Sequence, residues 1–401
     1  MAIGTALHPR TLAHCKSLNF RDWSGYYAVA AYESDHEHEY TAIRSRAGLI
    51  DVSPLFKYRV AGVGAVKLID RVITRDASAL QVGQVYYTPW CDDRGKVIDD
   101  GTIMRLGTDT YRWTSADPSL RWLTENADGL KVEIDDVSEE VAAIALQGPT
   151  SAAVLDRLGV SGIRDLKYFR VAAGRIAGVA VEISRTGYTG DLGYEVWVPA
   201  GRATDVWDAL IGGGHPFGVQ PAGLLALDLA RLEAGLLLID VDFHSSKKAL
   251  TEAQKYSPFE LGLERLVTLD KSAFNGRDAL VAESRRGARR RIVGLEIDWP
   301  AVERLYDQAD LPPQVAPGTS RTAVPVYRAG RQVGRATTTA WSPALKKLIA
   351  LATIEAPHYS EGTLLDIEVT VEAVRHQVPA RSVRTPFFNP RRKTAVPAFL
   401  N

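Results

Sequence analysis

Apolar and aromatic residues recur at Tyr40, Ile43 and Ala47 with charges between them, a helical spacing that predicts an amphipathic helix stopped near Gly48. After it the period changes. The stretches KYRVAG (57–62) and GTIMRLGTDTYRWTSA (101–116) alternate or run apolar between Gly and Asp turns, as strands do, and AVKLIDRVIT (65–74) between them has helical spacing. VAAIALQGPTSAAVLDRL (141–158) predicts a buried strand, a break at Gly148-Pro149 and a helix. Two further helices follow, RATDVWDALIGGG (202–214) and PAGLLALDLARLEAGLLL (221–238), and the second is nearly apolar all round, so it should lie inside the protein. From about Arg289 the pattern turns to short strands with frequent turns, as in AVPVYRAGRQVGRATTTAW (323–341) and LLDIEVTVEAVRHQVPARSV (364–383). This predicts an α+β chain that ends in a small β-rich barrel or sandwich. The basic run RRGARRR (285–291) ahead of it reads as a solvated linker.

With 401 residues the chain is long enough for two or three domains. Its 48 basic and 48 acidic side chains cancel, so no global field draws it to nucleic acid or to an anionic membrane. Cys15 and Cys91 are too few for a disulfide framework or a four-cysteine metal site. No signal-like apolar run opens the chain, and nowhere do 18 uncharged apolar residues stand together, so a soluble cytoplasmic protein is expected.

Several chemistries find no support. His36 and His38 stand two apart, which on a helix faces them differently, and read as surface histidines; no metal site is expected. GVGAVK (62–67) is neither a dinucleotide fingerprint nor a phosphate loop, and no Gly-x-Ser-x-Gly elbow is present. Three other segments stand out: YYTPWCDDRGKVIDDGTIMRL (86–106), LQGP (146–149) and SRTGYTGDLGYE (184–195). In the first, Asp99 and Asp100 open an apolar strand, and adjacent strand residues face opposite ways, so only one of the two can look into a given pocket. In the last, Glu195 is a lone acid among large apolar residues, and Gly187, Gly190 and Gly193 would let backbone approach a ligand closely.

These segments, together with GLIDVS (48–53), FNGRDAL (274–280) and TTTAWSPALKKLIALA (337–352), resemble the aminomethyltransferase family, which comprises the T-protein of the glycine cleavage system and the related tetrahydrofolate-dependent demethylases. The resemblance implies a three-domain cloverleaf ring around a hole that holds tetrahydrofolate. Its expected division is 1–52 plus 138–245, 53–137 plus 246–285, and 286–401 for the barrel. A pterin presents an N–H and an amino group side by side, which a carboxylate matches with two oxygens, so Glu195 is expected to hold it. By resemblance Asp100 stands near the reactive folate nitrogens, where its charge favours a cationic amine or iminium, while Asp99 bonds backbone amides. Tyr87 and Tyr188 match aromatics of the folate site, and Arg392, or Arg391 beside it, matches an arginine near the folate tail.

The donor side departs from the T-protein. DVS continues as Pro54-Leu55-Phe56 in place of His-Met-Gly, Leu227-Asp228 replaces an arginine-aspartate pair, and a charged insert follows Asp242. A changed donor is therefore expected: a small O-, N- or S-methylated compound, oriented by Asp240, Asp242 and His244. The alternative is a true T-protein that receives an aminomethyl group from a lipoylated carrier protein. A folate-binding iron–sulfur assembly factor fits less well, because its cysteine segment is missing after the buried helix.

Overall fold

The computed structural model describes residues 1–395 and 397. Three β-structures share one centre. The first is a six-stranded sheet in the order Val171–Ile176, Val179–Ser184, Gly193–Pro199, Val141–Gln147, Ala47–Asp51, Val219–Pro221, antiparallel except for its last pair. The second has five antiparallel strands in the order Val85–Cys91, Val97–Arg105, Thr110–Ser115, Phe56–Ala61, Glu133–Asp136. The third closes on itself as a six-stranded antiparallel barrel built from residues 290–383, and closure leaves it no edge strand. The family resemblance thus gave the architecture correctly, barrel included.

Each unit has its own core, around Trp207 and Tyr194 in the first, Trp90 and Trp113 in the second, and Leu295 and Val326 in the barrel. A fourth core belongs to none of them alone. It gathers Ala143, Ala145 and Trp197 from the first sheet, Val85 and Met104 from the second, and Ala340 and Leu351 from the barrel. Strand alternation makes this possible: Tyr194, Val196 and Val198 face the first unit's own core, so Glu195 and Trp197 must face the common centre. The mostly apolar helix, Leu224–Glu233, packs into that centre with residues 226–233 buried, among them the charged Asp228, Arg231 and Glu233.

Three local expectations fail for physical reasons. The first helix of that kind ends at Ser45, and Gly48 already lies in a strand, where a Cβ would stand 2.8 Å from Ile43 Cγ1; the glycine serves packing and does not stop the helix. His36 is buried, and burial lowers its proton affinity. In the basic run Arg285, Arg286 and Arg289 are exposed, but Arg290 donates to the carbonyls of Ala253 and Lys255 and lies 3.8 Å over the Tyr256 ring, and Arg291 pairs with Glu264 at 3.1 Å. Arg290 therefore ties the insert to the barrel, and Arg291 ties the segment after it. Among the described residues no helix is long and apolar enough to cross a membrane.

Candidate active site

Asp99 and Asp100 take opposite sides of their strand. Asp99 is fully buried; Oδ2 accepts the amides of Ala116 and Asp117 at 3.1 and 2.9 Å and Oδ1 that of Asp100 at 2.8 Å. Burial and the neighbouring Asp100 raise its pKa, and these amide bonds oppose the rise. Asp100 shares its face with Thr102 and Met104, and across the sheet with Tyr87 and Val85, which pack on the common core. Among the described residues its side-chain hydrogen-bond partner is Tyr87. Burial lifts the Asp100 carboxyl to about 6, and the Tyr87 bond draws it partly back. Tyr87 in turn is pushed well up by burial and by Asp100, which keeps its phenol a donor.

Glu195 pairs across its strands with Ser184 and Ala145 and so shares their face. Oε2 accepts from the Thr186 hydroxyl, and the remaining acceptor sites of this half-buried carboxylate point toward the common centre. Burial raises its pKa while Thr186 and Ser184 lower it. The loop from Arg185 to Leu192 brings Tyr188 to the same centre, where its hydroxyl donates to the Leu237 carbonyl and it feels the charges of Arg231, Asp100 and Asp242. Carboxylates from two sheets that face one core, with Tyr87 and Tyr188 beside Asp100, are the groups that could hold a donor-rich ring and stabilise positive charge beside it.

The glycines of that loop do a different job from the one expected. Cβ atoms at Gly187 and Gly193 would stand 2.0 and 2.3 Å from Gln147 Oε1, and one at Gly190 would stand 2.3 Å from Ala234 Cβ. They make room for protein, not for a ligand. Gln147 is fully buried, donates to the carbonyls of Thr186 and Tyr194 and accepts from the Thr189 hydroxyl, so the glutamine of LQGP moulds the loop that carries Tyr188.

The remaining site candidates separate into free and engaged groups. Asp242 is fully buried, and its oxygens accept from Arg231, the Leu238 amide and the hydroxyls of Thr337 and Thr338. With those acceptor sites filled it orients Arg231 between helix and barrel, and a direct role toward a donor molecule, expected from sequence, has no free acceptor to rest on. Asp240 and His244 are partly exposed, 3.7 Å apart, and Lys248 bridges Asp240 to Asp117. Their insert is tied to the Asp100 strand through Ser246 N–H to Val97 O and Val97 N–H to Tyr256 O, at 2.8 and 2.7 Å. Arg392 is occupied: Nε and Nη2 donate to the two oxygens of buried Asp191 at 2.6 and 2.8 Å. Arg391 is exposed.

Two engaged groups were not among the sequence candidates. Arg231, fully buried, pairs with Asp228 at 2.8 Å and with Asp242, and Asp228 also takes Arg321 of the barrel at 2.8 Å. Lys57, fully buried in the segment that replaces His-Met-Gly, donates to the carbonyls of Ser53 and Leu55 at 2.7 and 2.6 Å, and burial lowers it to about 8. A charge inside an apolar segment, the helix Leu224–Glu233 for Arg231 and the strand Phe56–Ala61 for Lys57, was the available signal.

Comparison with known proteins bears on the family and the fold. The GCVT N-terminal domain model matches residues 11–271, and the glycine cleavage T-protein C-terminal barrel domain matches 311–389. The Aminomethyltransferase of Halalkalibacterium halodurans is 35% identical over 379 residues, covering 93% of this chain and 94% of that protein. That of Moorella thermoacetica is 33% identical over 376 residues, with coverage of 93% and 94%. The crystal structure of glycine cleavage system aminomethyltransferase T from Bartonella henselae superposes with a TM-score of 0.82 over 97% of this chain and 99% of its own, at 23% identity, a likeness of fold. The chain therefore belongs to the glycine cleavage T-protein family of folate-dependent one-carbon-group transferases.

Proposed function

We propose that the protein is an aminomethyltransferase: it takes the aminomethyl group from a lipoylated carrier protein, releases ammonia and delivers the one-carbon unit to tetrahydrofolate. The observation that carries this reading is the full-length similarity to proteins named Aminomethyltransferase, at up to 35% identity over 93% of the chain. It displaces the expectation of a methylated small molecule as the first choice. The residues fit folate: Glu195 keeps acceptor sites toward the centre, and Asp100 has one side-chain partner.

Tetrahydrofolate supplies the nucleophilic nitrogens that accept the one-carbon unit. In this reading Glu195 orients the heterocycle through paired hydrogen bonds. Asp100, ionised above about pH 6, offsets positive charge at the reacting carbon and nitrogen and accepts a proton from the incoming amine. Tyr87 holds the Asp100 carboxylate in place from the neighbouring strand, and Tyr188 forms the wall between the two acids.

A second reading, demethylation of a small O-, N- or S-methylated compound, is favoured by one observation. The donor side is rebuilt, with buried Lys57 bracing Ser53 and Leu55 and with the insert of Asp240 and His244 tied beside the Asp100 strand. Asp240 and His244 would then orient the donor. Purified protein is incubated with tetrahydrofolate and either aminomethylated lipoyl carrier or a panel of methylated aromatics, betaines and sulfonium compounds. Ammonia release with the carrier supports the first reading. Methylated folate from a small donor, with no ammonia from the carrier, replaces it with the second.

A further inference from the structure

Glu195 and Trp197 lie on one face of the strand Gly193–Pro199, and opposite them on the strand Val179–Ser184 stand Ser184 and Glu182. A hydrogen bond runs along the diagonal of this quartet: buried Trp197 donates from Nε1 to the Ser184 hydroxyl at 3.0 Å. The Ser184 and Thr186 hydroxyls are 2.7 Å apart, and Thr186 donates to Glu195 Oε2. An indole N–H can only donate, so Ser184 accepts there and directs its own proton to Thr186 or to Glu195, and Thr186 directs its proton to the carboxylate. Every donor on this path points the same way, from the core toward Glu195.

The need of a buried indole for a partner does not explain the path. Trp90, Trp113 and Trp207 are fully buried, and their Nε1 atoms have no partner among the described residues. The two hydroxyls are not required by the backbone either: Ser184 pairs with Val171 and Glu195 through its main chain, and the Thr186 carbonyl takes Gln147. Nearby charges are engaged elsewhere. Arg112 of the second sheet pairs with Glu182 and stands 5.4 Å from the Trp197 ring centroid, and Arg185 turns to the carbonyls of Leu166 and of residues 392, 393 and 395. Burial raises the Glu195 carboxyl, and what lowers it are the Thr186 and Ser184 hydroxyls.

A carboxylate held at one oxygen by a fixed donor keeps one orientation, so its unfilled lone pairs keep one direction. We propose that Trp197, Ser184 and Thr186 are positioning residues for the heterocycle: a one-way donor path that holds Glu195 as an acceptor in a single orientation, so that the site selects rings with two adjacent donors. This rests on the folate reading above, in which Glu195 meets the ring, and assigns part of the selection to residues behind the carboxylate. A ring with an acceptor at either place sets lone pairs against lone pairs and is rejected.

The test is calorimetric titration of the whole protein with tetrahydrofolate across the range from about pH 5 to pH 8, with melting temperatures measured alongside. Thr186→Val keeps the shape and removes the donor; it is expected to weaken binding about tenfold at neutral pH. Because the lost hydroxyl lowered the Glu195 carboxyl, the acid limb of binding also moves to higher pH, and Ser184→Ala moves it the same way. Thr186→Ser, which keeps the hydroxyl, binds as wild type does. Asp100 titrates in all these variants alike, so the difference between profiles belongs to Glu195. Trp197→Phe moves the limb less, and adds nothing once Ser184→Ala is present, because Trp197 acts only through Ser184. Should Thr186→Val fail to fold, Ser184→Ala carries the same comparison. Wild-type affinity and an unmoved limb in Thr186→Val and Ser184→Ala overturn the path and leave the folate reading standing. An effect of Trp197→Phe that is equal with and without Ser184 is one of packing and also overturns it. If the wild-type protein binds no tetrahydrofolate, the folate reading falls and the path falls with it.

Discussion

Two kinds of buried carboxylate lie within this fold, and their hydrogen bonds distinguish them. Asp99 and Asp242 are fully buried and surrounded by amide, hydroxyl or guanidinium donors. Asp100 and Glu195 are half-buried, face the common core, and have one or two hydroxyl partners each. The first pair holds backbone, helix and barrel in register; the second retains acceptor capacity. Position along the strand separates Asp99 from Asp100 by a single residue, and depth in the interior separates Asp242 from partly exposed Asp240 by two.

The sharpest way to break the comparison is Asp100→Asn, which is expected to lower kcat by about 10²–10⁴-fold with little change in folate affinity. The pH profile adds a sign. Burial raises this carboxyl to about 6, so wild-type kcat/KM should fall as pH drops through that value, and the variant should lack this limb. A raised pKa also means that the folded state binds the proton more tightly than the unfolded one, so this group's favourable contribution to stability is present at low pH and is lost as pH rises through about 6. Asp100→Asn is therefore expected to unfold no more easily than wild type in urea at pH 7. A clear loss of stability would place Asp100 with the engaged carboxylates.

Asp242→Ala should do the reverse: it strands buried Arg231 and should cost about 3–5 kcal/mol in urea denaturation, at unchanged carboxyl titration of the active centre. Glu195→Gln is expected to weaken tetrahydrofolate binding by about 2–3 kcal/mol in calorimetry, since an amide donor then faces a donor, while the melting temperature holds. Asp240→Ala and His244→Ala should change stability least, by less than about 1 kcal/mol, because their pairings are solvent-exposed. Their effect on turnover decides between a carrier and a small donor: normal aminomethyl transfer in both favours the carrier.

Much of this was legible in the chain. Alternation alone predicts that Asp99 and Asp100 diverge, and the helix at Leu224–Glu233 announces its burial by being nearly apolar all round. Other features could not be read because they depend on atoms distant in sequence. Gly187 and Gly193 look like room for a ligand until Gln147, some forty residues earlier, is seen to fill it. Asp242 looks like a site acid until Thr337 and Thr338 arrive from the barrel, and Arg392 looks free until Asp191 meets it. Local pattern specifies elements and faces; whether a polar group is already satisfied is decided by tertiary contacts.

The bonds from Arg185 to the carbonyls of residues 392, 393 and 395 also impose an order on assembly. Synthesis delivers both carboxylates, Gln147 and the whole Arg185–Glu195 loop roughly two hundred residues before the segment that fastens it, given that chains fold from the amino terminus as they emerge. A nascent chain halted after the barrel strands would therefore display Asp100 and Glu195 on finished sheets, yet Arg185 would keep only the Leu166 carbonyl on Nη1 and lack those that Nη2 meets. The loop that carries Tyr188 is thus fastened only after the sheets on either side of it are complete.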